Sequence, residues 1–202
     1  MNGDGETANA PYARARTGSR QPGTASAPRG TAGTTTPLSD TDFATPVEDR
    51  YFEDYLPGAV YVYGSITMTR EDILRFADEF DPQSIHNDPQ AARQGPFSGL
   101  IASGWHTCSV TMRMYVDHYV SKVAGLASPG IDELRWVQPV RPGDSLSLRA
   151  TVQDARVSRS KPDRGLVTTG IEVLDQHGQT VLTMSAMNLF LRRKAVSGRE
   201  RR

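Results

Sequence analysis

The chain has 202 residues, with 23 Lys plus Arg balancing 23 Asp plus Glu at a formal net charge of zero. That length suits one domain with a real core, and the balance excludes a general nucleic-acid binder, which needs a basic excess to displace counterions. A single cysteine, Cys108, excludes an internal disulfide and a thiolate metal cluster, and no apolar run approaches the ~20 residues of a membrane span.

Residues 1–45 are rich in Gly, Ala, Thr, Pro, Ser and Arg and almost free of large aliphatic side chains. Such a segment cannot bury enough apolar surface to offset its ordering entropy. It reads as a disordered tail, mildly basic around Arg14, Arg16 and Arg20. It has no hydrophobic signal core, so a cytoplasmic location is expected. The folded domain is expected over residues 46–193, followed by a basic tail over 194–202.

Val60 to Tyr63 and Ser65 to Met68 are β-branched and aromatic and read as strand. Thr69 then has the character of a helix N-cap with Asp72 at the reciprocal position. Ile73, Leu74, Phe76, Ala77 and Phe80 repeat at helical spacing, predicting a helix over about 70–79. The run Phe80-Asp81-Pro82-Gln83-Ser84-Ile85-His86 follows, setting a carboxylate and an imidazole five positions apart across a forced turn. Asn87-Asp88-Pro89 supplies a cap and a first-turn proline for a short helix that Gly95-Pro96 ends. Ser98 is the expected cap of a long helix over 99–119, whose apolar residues lie on more than one side, as in a buried helix. Cys108 falls inside it and reads as a small core residue.

After Ser128-Pro129-Gly130 the period changes to that of strands. Residues 131–140, 146–152, 166–174 and 180–191 alternate or are β-rich, separated by turns at 141–144, 161–165 and 175–179. Helices gathered together and consecutive hairpins imply an α+β fold, with a curved antiparallel sheet wrapped around the long helix.

Asp81 and His86 aimed at one point can hold and polarise a water, since an unperturbed imidazole titrates near neutral pH. Pro82 pushes Asp81 towards an extended backbone. The first N–H groups of a helix lack internal partners and carry partial positive charge, so the glycine-rich run 95–107 leading into the long helix can stabilise an oxyanion. Of the other histidines, His106 reads as packed in the long helix, His118 as favourable near that helix's C-terminus and His177 as solvated in a hairpin. Their spacing matches no metal site, and none is expected. Arg156, Arg159, Lys161 and Arg164 cluster around one turn. They read either as a solvated loop or as a contact to phosphates, for which arginine's forked donors are suited.

The order of elements and the 80–86 run resemble the MaoC-like dehydratase family of hot-dog folds, which includes (R)-specific enoyl-CoA hydratases. The resemblance covers about residues 50–193. The family's motif has the form Gly-Asp-x-Asn-Pro-x-His; Asp81 and His86 stand at the matching positions, while Phe80, Gln83 and Ser84 replace the Gly, Asn and Pro. The stretch from Gly99 to Ser103 is similar to the family's helix start, and the run from Asp132 to Asp144 to its strand and turn. The resemblance implies a single hot-dog domain and a reversible hydration of a 2-enoyl thioester, with Gly99 N–H as oxyanion donor. It also implies Ser103 and Thr107 facing the substrate, and a homodimer with the acyl channel at the subunit interface. The expected partners are acyl-CoA or an acyl carrier protein thioester, with no cofactor beyond the coenzyme A of the substrate, no nucleic acid and no membrane. A hot-dog thioesterase or a non-catalytic acyl-CoA-binding subunit are the alternatives.

Overall fold

The structure is a computed structural model that describes residues 43–194. The expected tail over 1–45 and the basic tail over 194–202 lie almost wholly outside the described residues.

In chain order the elements are β1 (Val60–Thr67), α1 (Arg70–Phe80), α2 (Ser84–Asn87), α3 (Pro89–Gln94), α4 (Gly104–His118), β2 (Gly125–Trp136), β3 (Ser145–Val157), β4 (Arg164–Leu174) and β5 (Thr180–Leu191). The strands form one antiparallel sheet in the order β1-β3-β4-β5-β2. β4 and β5 alternate between buried and half-buried positions, as does the first part of β3. Their inward residues, among them Leu146, Leu148, Val167, Ile171 and Val173, form the core with Met114, Tyr115 and Tyr119 at the α4 end. α4 lies across the sheet: it packs on β1 and β3, Tyr115 donates to Asn188 Oδ1 of β5 at 2.8 Å, and Tyr119 shares a hydrogen bond with Thr169 of β4.

α1 starts as its sequence demands, with the Thr69 side chain accepting from Asp72 N–H. α3 starts on Asp88, whose carboxylate accepts from the N–H groups of Gln90 and Ala91.

Four features differ from expectation. The long helix begins at Gly104, capped by Ser103, and not at Gly99 capped by Ser98. Residues 100–102 are buried outside any helix instead, because Ile101 N–H bonds the Ile85 carbonyl and Ala102 N–H bonds the Val140 carbonyl, tying this run between α2 and the segment before β3. Nor is α4 buried all round: Trp105, Met112 and Val116 are exposed along one stripe. The strand expected from residue 131 begins at Gly125, so Ser128-Pro129-Gly130 lies within β2, an edge strand whose irregular register accommodates it. The folded part begins by Phe43, which stacks on Tyr61 with ring centroids 3.8 Å apart under the guanidinium of Arg50.

Candidate active site

α1 ends where Asp81 meets Pro82. Proline disfavours a helical residue before it, and Asp81 has φ −150° and ψ 67°, so its carboxylate leaves the line of the helix. The chain turns at once into the single turn of α2, with the N–H groups of His86 and Asn87 both bonding the Gln83 carbonyl. This turn buries His86. Its Nδ1 lies 3.0 Å from the carbonyl oxygen of Ile101. A carbonyl accepts and cannot donate, so Nδ1 carries a proton, and in the neutral tautomer this leaves the Nε2 lone pair free. Nε2 stands 3.5 Å from Asp81 Oδ2, too long for a strong direct bond and close enough for both to hold one water.

Asp81 is held from two further sides. The Gln83 amide donates to Oδ1 at 2.6 Å and the Ser103 hydroxyl donates to Oδ2 at 2.7 Å. These two bonds, the Gln83 contact foremost, keep its carboxyl below the usual carboxylate range; partial burial opposes them and His86 adds a little.

A cavity of about 470 Å³ opens over the pair, with Asp81, His86 and Thr107 in its wall and an apolar lining that includes Ile85, Trp136 and Val181. Gly104, the first residue of α4, also lines it. A Cβ there would sit 2.5 Å from the Trp136 indole, so a side chain at this position would have to displace that ring, and the Gly104 N–H belongs to the first turn of a helix, where no intrahelical acceptor exists.

Asp81, His86 and Thr107 therefore meet at one cavity. Gly99 does not join them: it sits in the 95–100 loop at φ +154°, five residues before the helix that was to supply its dipole, and does not line the cavity. Ser103 does not line it either; its hydroxyl is committed to Asp81 and to Trp105 N–H. Arg156, Arg159, Lys161 and Arg164 occupy the β3–β4 hairpin, away from the cavity. Arg164 pairs with Leu191, whereas Val173 pairs with Leu182 beside the cavity residue Val181. Nine residues of strand separate these points, about 30 Å. Arg164 bonds Asp163 and Arg156 faces Asp154, so these cations neutralise near neighbours.

Sequence reasoning missed Gly104 and Trp136. The signal for Gly104 was Ser103 immediately before it, a cap as good as Ser98; choosing between them needed the burial of residues 100–102. Among the described residues no group of three or more His, Cys, Asp or Glu is placed to hold a metal ion, and no helix is long and apolar enough to cross a membrane.

The profile of the MaoC like domain family matches residues 55–175. The MaoC-like dehydratase of Rhodospirillum rubrum is 38% identical in its crystal structure, with a TM-score of 0.66 over 72% of this chain and 99% of that one. The 3-hydroxyacyl-thioester dehydratase Z of Mycobacterium tuberculosis is 31% identical over 110 residues, 54% of this chain and 73% of that protein. A conserved hypothetical protein from Mycobacterium tuberculosis with a double hotdog fold superposes with a TM-score of 0.61 at 19% identity, over 75% of this chain and 48% of that one, a likeness of fold. The sheet wrapped on α4 is thus a hot-dog fold, and with more than half of its length matched the chain belongs to the MaoC-like domain family.

Proposed function

We propose that this protein adds water reversibly to a 2-enoyl thioester, giving a 3-hydroxyacyl thioester. The observation that carries the reading is the convergence of Asp81 and a His86 with its Nε2 lone pair free on one apolar-walled cavity at the start of α4. Asp81, ionised, accepts one hydrogen bond from a water. His86 Nε2 accepts the water's other proton as its oxygen bonds to C3 of the substrate. The electron pair of the double bond moves towards the thioester carbonyl, whose oxygen becomes an enolate. The imidazolium then returns the proton to C2, so the elements of one water are added and the enzyme is regenerated. The Gly104 N–H and the positive end of the α4 dipole stabilise the enolate, a contribution of roughly 3 kcal/mol for one such donor. Under this reading no metal or organic cofactor is required, and the acyl group is carried by coenzyme A or an acyl carrier protein.

We further infer a homodimer. β2 is an edge strand, and Ile131 and Trp136 on it are exposed, as are Trp105, Met112 and Val116 on α4. A long unpaired edge beside an apolar stripe is commonly covered by pairing.

Purified protein given 2-enoyl-CoA substrates of graded length tests the reaction. Loss of the enoyl absorbance without release of free thiol supports hydration. Thiol release at the same rate supports a thioesterase, and binding without either change supports a non-catalytic acyl-CoA binder.

A further inference from the structure

Each oxygen of the Asp81 carboxylate has its own donor: Gln83 Nε2 at 2.6 Å on Oδ1 and Ser103 Oγ at 2.7 Å on Oδ2. Ser103 is 1% exposed, and its one hydroxyl proton goes to Asp81 while its oxygen accepts from Trp105 N–H at 3.2 Å. One buried side chain therefore ties the carboxylate to the first turn of α4. Gln83 reaches the other oxygen from the N-cap position of α2. A carboxylate offers about four acceptor sites, so Oδ2 keeps a lone pair for a water shared with His86 Nε2. His86 of α2 is the ionisable group facing Asp81; Asp78 of α1 is turned to Asn87, and α4 contributes the positive end of its dipole. For Asp81 to take up a proton, charge-assisted bonds from both sides would weaken together.

Resting on the hydration reading, we propose that Ser103 and Gln83 are positioning residues whose two hydrogen bonds hold Asp81 as a fixed anionic acceptor, so that Asp81 orients the water and His86 carries the proton. Gln83 stands where the family motif has a shorter Asn, and the clamp gives that departure a purpose: the longer amide reaches Oδ1.

The test separates the clamp from the cap. Ser103→Gly keeps α4 capped to within a few tenths of a kcal/mol and removes the hydroxyl; Gln83 is exposed, so Gln83→Ala leaves packing intact. The Asp81 carboxyl is titrated by carbon-13 NMR without substrate, its signal assigned with Asp81→Asn. The midpoint moves up in each variant and further in the double variant. Turnover of a 2-enoyl-CoA falls about tenfold or more, and Ser103→Thr restores both the midpoint and the rate. An unmoved midpoint in both single variants overturns the clamp, as does an unchanged turnover where the midpoint has moved. A wild-type chain that hydrates no enoyl thioester, yet shows the titration shifts, sinks the hydratase reading and leaves the clamp standing.

Discussion

At the scale of single residues the account rests on Asp81 and His86. Asp81→Asn and His86→Ala each lower turnover by about 100- to 10,000-fold while circular dichroism stays native, since a general base contributes on that order and loss of the group that orients its water is of similar cost. The Asp81 carboxyl titrates below its usual range, so it remains the anionic acceptor in mild acid, and turnover there is limited by the Nε2 lone pair of His86 that the reaction also requires. His106 makes the opposite kind of claim. It is buried, stacks on Phe76 with centroids 4.7 Å apart, and its Nδ1 has no hydrogen-bond partner. Burial, helped by Arg75 and opposed by Asp72, lowers its pKa. A histidine whose folded pKa is depressed favours the native state above the unfolded value of about 6.5 and loses that contribution as pH falls. His106→Phe keeps the stack and removes the titration, so urea denaturation at pH 7.5 and pH 5 shows the wild type losing more stability on acidification than the variant. Equal losses refute this.

At the scale of elements, Arg50 is the fastener that the fold most needs outside its core. It is 3% exposed and donates to the carbonyls of Thr45, His118 and Tyr119 at 2.9 to 3.1 Å, joining the chain before β1 to the C-terminal end of α4. Arg50→Met takes these bonds from the Thr45 and His118 carbonyls and leaves the Tyr119 carbonyl only the Tyr55 hydroxyl, and it destabilises by about 3 kcal/mol in urea unfolding; a loss under 1 kcal/mol would contradict the assignment. None of this was legible in the sequence, because a lone Arg in a polar stretch has no pattern, and Phe43 beside it falls in a segment whose composition argues for disorder. The elements with a period were legible. Alternation in β3 to β5 fixes which face is buried, and Thr69 and Asp88 mark helix starts through the hydrogen bonds that their side chains make. α4 was read as starting five residues too early because Leu100, Ile101 and Ala102 suit a helix locally, and tertiary bonds to Ile85 and Val140 hold them outside it. In the site, Asp81 and His86 were visible as a short-range pair, while the Ser103 contact spans 22 positions and appears only when the chain is folded.

At the scale of the whole molecule, the exposed β2 edge and the α4 stripe predict association between copies. Sedimentation equilibrium gives twice the chain mass for the wild type, and Ile131→Asp, which sets a charge on the β2 edge, returns it to the mass of one chain; a wild-type monomer at micromolar concentration excludes the dimer. Hydration itself is tested most directly by the fate of the water oxygen. The protein is incubated with a 2-enoyl-CoA in oxygen-18 water and the products are analysed by mass spectrometry. The account predicts the label in the hydroxyl of an intact 3-hydroxyacyl thioester, and its loss when Asp81 and His86 are both replaced. Label in a free carboxylate, or an unlabelled and unchanged enoyl thioester, would contradict it.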